Sequence, residues 1–260
     1  MKPIGIIDKF CEHDWKIVMT RRGFVWLGTS AVFSSFFQPF SRAYSTGVFP
    51  VEDISVTQVD HLILGVSDLQ EGIRAVEEQT GVRPIWGGRH PGGSTCNALI
   101  SLGEKRYLEI LAPDPEQEPN DRSLELKALR TPQLIGWAVS SQKIEIEAER
   151  LRVIGYSVQG PAAGSRERPN GSVLKWQTVS IASAPSDLVP FVIQWHPDSV
   201  HPSEDSPQGC RLKTLVLQHP DPNLIGPILK DMGLQVSLSR GSQESLDAYI
   251  ETPRGLLMLT

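Results

Sequence analysis

Polar side chains with the chemistry of metal ligands or acid–base catalysts alternate with apolar ones in three short segments between residues 59 and 111. Each segment has the pattern of a β-strand, in which successive side chains point to opposite faces of a sheet. One face is apolar throughout, and we expect it to lie beneath a helix. The other face collects His61, Thr95, Asn97, Tyr107 and Glu109. Burying a carboxylate and an imidazole without partners costs free energy, so function is one explanation of this polar face.

A divalent cation would satisfy His61 and Glu109 together, because imidazole and carboxylate ligands suit iron, manganese, nickel or zinc. The alternative without a metal is that Glu109 is partly solvated and that His61 makes an ordinary hydrogen bond. The spacing of the residues leaves both interpretations open.

His90 lies in the glycine-rich segment 87–93, which we expect to form a turn after the second strand. Such a turn would let the imidazole reach the polar face as a third metal ligand or as a general base. Alternatively, His90 faces solvent. Thr95 and Asn97 either orient a substrate oxygen or support a ligand, or they only hold the turn in place.

The predicted elements around these residues follow the order strand–helix–strand–strand–strand (βαβββ), and this order then returns twice. In the first unit, apolar residues at helical spacing predict a helix over residues 69–79. The fold class is therefore α+β, built from repeated βαβββ modules. The modules are predicted at 59–114, 133–198 and 209–260. Segment 160–171, which is rich in glycine, proline, serine and charge, is expected to be a mobile loop.

Four motifs carry a family resemblance: V-D-H-L-I-L at 59–64, G-G-R-H-P at 87–91, T-C-N-A-L at 95–99 and Y-L-E-I at 107–110. Together they resemble the glyoxalase-like domain of the vicinal oxygen chelate superfamily, densely in the first module and loosely in the second. The resemblance implies that the first two modules, within 59–200, pair into a half-open barrel-like sheet around a divalent metal ion. It also implies a lyase, isomerase or dioxygenase type of reaction on a small oxygenated molecule.

The ligand positions of the family carry over only in part. The family's first-strand histidine falls on His61 and its last-strand glutamate on Glu109, but the second module has Leu134 or Ile135 where another histidine would lie. The last strand of that module offers Gln194, or His196 just beyond it. In the third module, Thr214 and Leu257 replace both ligands, so this module is expected to be structural or dimer-forming.

These arguments lead to two candidate functions. In the first, the chain is a metal-dependent enzyme other than a lactoylglutathione lyase, with His61, Glu109 and Gln194 as metal ligands. His90, Asn97 and Thr95 would then be its catalytic or substrate-positioning residues. In the second, the same concave surface binds or sequesters a small molecule without a metal ion.

Composition limits the partners of the chain. Its 260 residues carry a net charge of −5, and the sequence has no block rich in lysine and arginine. Nucleic-acid binding needs clusters of basic residues, so we expect a small-molecule ligand instead. Three cysteines, Cys11, Cys96 and Cys210, fit neither a disulfide framework nor a zinc-ligand pair.

The first 45 residues have the parts of an export signal. Arg21 and Arg22 precede an apolar run over 25–37, and small residues at Ala43 and Ser45 follow. The paired arginines resemble the twin-arginine type. If this signal is used, the protein is expected in the periplasm or outside the cell; if it is not used, the protein stays in the cytoplasm. The run is too short for a stable membrane span. We expect translation to start at Met19 rather than Met1, and residues 46–58 to form a linker.

Overall fold

The structure is a computed structural model, and it describes residues 58–260. The predicted export signal at 1–45, the alternative start at Met19 and all but the last residue of the predicted linker lie outside the described residues. Within the described part, no helix combines the length and the apolar character needed to cross a membrane.

The first module has the predicted βαβββ order. Its elements are β1 (Val59–Gly65), α1 (Leu69–Thr80), β2 (Ile85–His90), β3 (Thr95–Ser101) and β4 (Tyr107–Pro113). The side chain of Asp68 accepts a hydrogen bond from the backbone of Glu71 and so caps the start of α1. Gly81, with φ of 77°, ends the helix in the left-handed conformation that glycine tolerates best. The apolar face of the sheet, including Leu62 and Ile110, packs beneath α1 as predicted.

The second module repeats this order after a short helix that the sequence patterns did not predict. That helix is α2 (Asp121–Lys127). The module then comprises β5 (Gln133–Ser140), α3 (Ile144–Ile154), β6 (Val158–Glu167), β7 (Val173–Ile181) and β8 (Phe191–Trp195).

The two modules share one curled sheet with the strand order β2-β3-β4-β1-β5-β8-β7-β6. They join where β1 pairs antiparallel with β5, while each module places its first and last strands side by side in parallel. The curl is strong enough for a side chain of β6, at one edge of the sheet, to bond with a side chain of β3, next to the other edge. This is the predicted half-open barrel, and its concave face holds the polar residues.

Residues 202–260 form a further α+β unit. It comprises α4 (Pro202–Asp205), β9 (Arg211–His219), α5 (Pro222–Asp231), β10 (Ser237–Arg240), β11 (Ser245–Thr252) and β12 (Gly255–Leu259). Its strands form a separate sheet in the order β10-β9-β11-β12. The order along the chain matches the first module, but the neighbours in the sheet differ, since the first strand lies beside the second and third rather than the last. Backbone bonds such as that from Leu212 N to Leu102 O (3.0 Å) join this sheet to β3.

Two predicted loops are strands in the structure. Residues 87–90 belong to β2, so the turn occupies only 91–94, and His90 ends a strand instead of lying on a loop. Most of segment 160–171 belongs to β6. Because β6 is an edge strand, it pairs on one side only and tolerates proline and glycine, which sequence patterning cannot distinguish from a loop.

Candidate functional site

His61 and Glu109 lie on neighbouring parallel strands and face the same concave surface. The imidazole Nε2 of His61 is 3.9 Å from Oε2 of Glu109, and both residues are buried. The strand alternation that predicted this pairing is therefore what places the two side chains together.

Asp60 fixes the orientation of the His61 ring. Its carboxylate oxygen Oδ1 lies 2.8 Å from His61 Nδ1, and Oδ2 accepts a hydrogen bond from Trp195 Nε1 at 3.0 Å. His201 Nε2 lies 3.3 Å from the same oxygen. Burial alone would raise the pKa of Asp60, but the bonds and charges of His201 and His61 outweigh it and lower the pKa to about 2. The carboxylate is thus ionised and can only accept, so Nδ1 of His61 carries the proton and Nε2 points toward Glu109.

The position of Asp60 departs from simple alternation. A register shift between Val59 and His61, in the pairing of β1 with β5, interrupts the regular ladder at this residue. Irregularities of this kind commonly re-aim a side chain beside a functional site. The place of Asp60 beneath His61 therefore does not follow from the sequence pattern.

His90, Thr95 and Asn97 surround the other oxygen of Glu109. His90 Nδ1 is 2.9 Å from the hydroxyl of Thr95, and its Nε2 is 3.6 Å from Oε1 of Glu109. The amide of Asn97 donates to the same Oε1 at 2.5 Å. Burial lowers the pKa of His90, and nearby Arg166 and His61 lower it further against the opposing charge of Glu109. His90 is therefore neutral at neutral pH, with a lone pair available on one ring nitrogen.

Glu109 is the common partner of these groups. Burial by itself would raise the pKa of this carboxyl, yet His90 and His61, the Asn97 amide and Arg166 together hold the pKa below its usual value. The concave face therefore contains a buried carboxylate anion between two imidazoles.

Gln194 does not reach this cluster. Its side-chain Oε1 accepts a hydrogen bond from the backbone N–H of Ile144 at 2.8 Å, where it serves the first turn of α3. Strand alternation explains the difference, because Phe191 on β8 faces His61 and Gln194 lies three residues further along. The prediction of Gln194 as a metal ligand is thus wrong in its placement. His196, the alternative, has a half-exposed side chain beside Asp198.

Arg166 on β6 is a site residue that the sequence analysis missed. It is buried, and its Nη1 donates to Oδ1 of Asn97 at 3.2 Å. No local pattern could have revealed it, because the contact joins residues 69 positions apart and arises from the curl of the sheet.

Aromatic rings form the remaining wall. Tyr107 stacks on the His61 ring with centroids 4.6 Å apart, and Phe191 meets that ring edge-on at 5.5 Å. Trp176 and Trp195 lie together further along the wall. By contrast, Trp137 is a core residue, with 1% of its surface exposed.

Comparison with known proteins identifies the family. A family model described as a glyoxalase-like domain matches residues 59–233. The chain belongs to this glyoxalase-like family. A search of curated proteins found no significant match.

The chain is also similar to solved structures. A hypothetical protein from Staphylococcus aureus is 17% identical, with a TM-score of 0.53 over 77% of this chain and 83% of that chain. A methylmalonyl-CoA epimerase from Mycobacterium tuberculosis is 18% identical, with a TM-score of 0.43 over 55% of this chain and 91% of that chain. At these identities the likeness concerns the fold alone.

The wider vicinal oxygen chelate superfamily commonly uses divalent metal ions, so the donors of this glyoxalase-like chain can be tested against one. Two imidazole nitrogens and a carboxylate suit such ions, and each imidazole is held through its other nitrogen, as metal-binding histidines usually are. No three His, Cys, Asp or Glu side chains in residues 58–260 already surround one point at ligand distance, because His61 and His90 face different oxygens of Glu109. The donor atoms are of the right kind for a divalent ion and point toward one region. They do not yet surround a single point at the distances of a coordination sphere.

Proposed function

We propose that this glyoxalase-like protein is a divalent-metal-dependent enzyme of the lyase, isomerase or dioxygenase type that acts on a small oxygenated molecule. His61, His90 and Glu109 would hold the ion, with iron, manganese, nickel and zinc as candidates. One observation carries the proposal: two imidazoles, each oriented through Nδ1, present Nε2 to opposite oxygens of the same buried carboxylate.

When bound, the ion supplies Lewis-acid stabilisation of negative charge on substrate oxygens. The chain itself orients the two imidazoles and surrounds them with groups of low dielectric constant. Asp60 keeps the Nε2 of His61 aimed at the site, and Thr95 does the same for His90. Tyr107 and Phe191 exclude water from the His61 ring, since both pack directly against it. Charge on the reacting oxygens is therefore met by fixed groups rather than by mobile water.

Asn97 positions the carboxylate of Glu109. Its Nδ2 donates to Glu109 while its Oδ1 accepts from Arg166, so the amide is held at both ends. A fixed Glu109 oxygen can accept a proton from substrate or bind an ion without first reorganising. We assign Asn97 to positioning and not to proton transfer, because an amide does not titrate in the physiological range.

A metal-free binding protein is the second candidate function. The aromatic wall and the buried guanidinium of Arg166 favour it, because they could enclose a small anionic ligand without the help of a metal ion. The two candidates differ in whether the His61–Glu109 pair must bind a cation.

Metal titration separates them. The purified full chain, stripped with a chelator, is titrated calorimetrically with Mn²⁺, Ni²⁺, Zn²⁺ or Fe²⁺, alongside His61→Ala and His90→Ala. His196→Ala is the matched control, because that imidazole is half-exposed and lies outside the cluster. We expect one ion per chain in the wild type and in the control, and a loss of at least about tenfold in affinity in the other two. A folded wild type that takes up no ion would contradict the metal proposal and leave the binding protein.

We also propose export through residues 1–45, supported by Arg21, Arg22 and the apolar run that follows them. N-terminal sequencing of protein recovered from outside the producing cell's cytoplasm should find a start near residue 46. Recovery only from the cytoplasm, with residues 19–45 intact, would contradict export.

A further inference from the structure

Arg166 carries a buried positive charge that no carboxylate of residues 58–260 pairs with directly. Only 4% of the residue is exposed, and the one hydrogen bond that its side chain makes to residues 58–260 goes to the neutral amide oxygen of Asn97. It forms no ion pair with a carboxylate of the described chain, and Glu109 acts on it only at longer range. Since guanidinium groups do not lose their proton in proteins, this charge is costly unless something else compensates it.

A second buried arginine, two residues further along the chain, serves as a comparison because its role is structural. Arg168 follows β6, is similarly buried, and is paired with the carboxylate of Asp205 and with the carbonyl of Val200. Its charge is fully accounted for within the protein. Arg166 lacks such a partner, although it lies only two residues before Arg168.

The opposite edge of the sheet is shaped to accept the Arg166 side chain. A Cβ atom at Gly87 would lie 2.5 Å from Nη1 of Arg166, and one at Gly88 would lie 3.1 Å from its Cγ. A side chain at Gly87 would therefore press on the guanidinium, and one at Gly88 on the stem of Arg166 and on the backbone oxygen of Glu167. The two glycines of the G-G-R-H-P motif thus leave room for a charged group brought from the second module.

We propose that Arg166 binds the carboxylate of a short carboxylic acid, with the rest of that acid lying toward the His61–Glu109 pair. The planar guanidinium presents paired N–H donors that match a carboxylate. One amide, that of Asn97, bonds both to Arg166 and to Glu109, so a small acid bound at the guanidinium would lie beside the His61–Glu109 pair. The inference rests on the proposed function in taking this concave face as the substrate site.

The test compares pyruvate with its neutral methyl ester and with inorganic phosphate, using the full chain in the presence of a chelator. Binding is followed by tryptophan fluorescence, because Trp195 lies against the site, and by isothermal calorimetry. We expect the wild type to bind pyruvate at least tenfold more tightly than the ester. Arg166→Gln should abolish that preference, Arg166→Lys should keep part of it, and Arg74→Gln, which removes an exposed arginine, should leave it unchanged. Preference for phosphate over pyruvate would overturn the carboxylate assignment.

Thermal unfolding without ligand supplies a readout that does not depend on the choice of acid. If Arg166 is held for a ligand, Arg166→Gln should unfold at the same temperature as the wild type or higher, because it removes a buried charge that forms no direct ion pair. A lower midpoint together with an unchanged pyruvate-to-ester ratio would make Arg166 structural and overturn the inference. The proposed function fails separately, on the absence of ion binding, whatever these acids show.

Discussion

Asp60 shows how much of the candidate site depends on a residue that touches neither the proposed ion nor a substrate. Its two oxygens bind His61, Trp195 and His201 and so connect β1, β8 and the segment before α4. Its carboxylate stays ionised because these partners hold its pKa at about 2. The orientation of the His61 imidazole follows from this one anion.

Replacing the anion while keeping its shape should therefore weaken ion binding. Asp60→Asn presents an amide to His61 and loses the charge that fixes the Nδ1 proton. We expect a 10- to 100-fold lower affinity for the ion that binds the wild type, the range typical for supporting partners of metal-binding histidines. Calorimetric titration measures it, with the exposed Asp198→Asn as control. Equal affinities in Asp60→Asn and wild type would show that His61 needs no such support.

Cys96 and Cys210 should behave as buried apolar residues rather than as nucleophiles. Burial raises the pKa of each thiol to about 11, so both are protonated at pH 8, and only the thiolate reacts. In a Cys11→Ser chain, a thiol reagent at pH 8 should label neither cysteine until denaturant is added. Fast labelling of the native protein would contradict the burial of these residues.

At the scale of the elements, sequence patterning predicted most of the first module. Strand alternation placed His61, Asn97 and Glu109 on one face because β1, β3 and β4 are regular over these residues. It failed at Gln194, which serves the first turn of α3, and it assigned no role to Asp60, where the ladder is irregular. Strand alternation could not identify Arg166, because the sequence of β6 has the composition of a loop. The contact between Arg166 and Asn97 also depends on the curl of the sheet.

A substitution at Gly87 tests whether β6, at one edge of the sheet, lies close to β2 at the other edge. A methyl group there would press on the Asn97 amide and on the guanidinium of Arg166. Gly87→Ala should therefore impair both Glu109 positioning and carboxylate binding, with ion and pyruvate affinities each reduced about tenfold or more. Gly226→Ala in α5 is the control, since its backbone needs no positive φ and its added Cβ would make only an ordinary contact, 3.5 Å from Leu238. Unchanged affinities in Gly87→Ala would contradict the close approach of β6 to β2.

At the scale of the whole described chain, the third module shares a core with the first two. Leu215 and Leu217 of β9 belong to the same buried cluster as Leu62 and Leu64 of β1. The two sheets should therefore unfold together.

Tryptophan fluorescence can test this, because every tryptophan of residues 58–260 precedes the third module. Leu215→Ala should lower the free energy of unfolding by about 2–5 kcal/mol, and the fluorescence midpoint in denaturant should fall with it. An unshifted midpoint beside a loss of far-ultraviolet signal would mean that the third module unfolds on its own.

The central claim is that His61, His90 and Glu109 hold one divalent ion on the concave face. Anomalous diffraction from crystals of the full chain grown with Mn²⁺ tests it most directly. The account predicts a single strong peak within bonding distance of the Nε2 atoms of His61 and His90 and of the Glu109 carboxylate. A well-ordered site with no peak there, or a peak held by other residues, would contradict it.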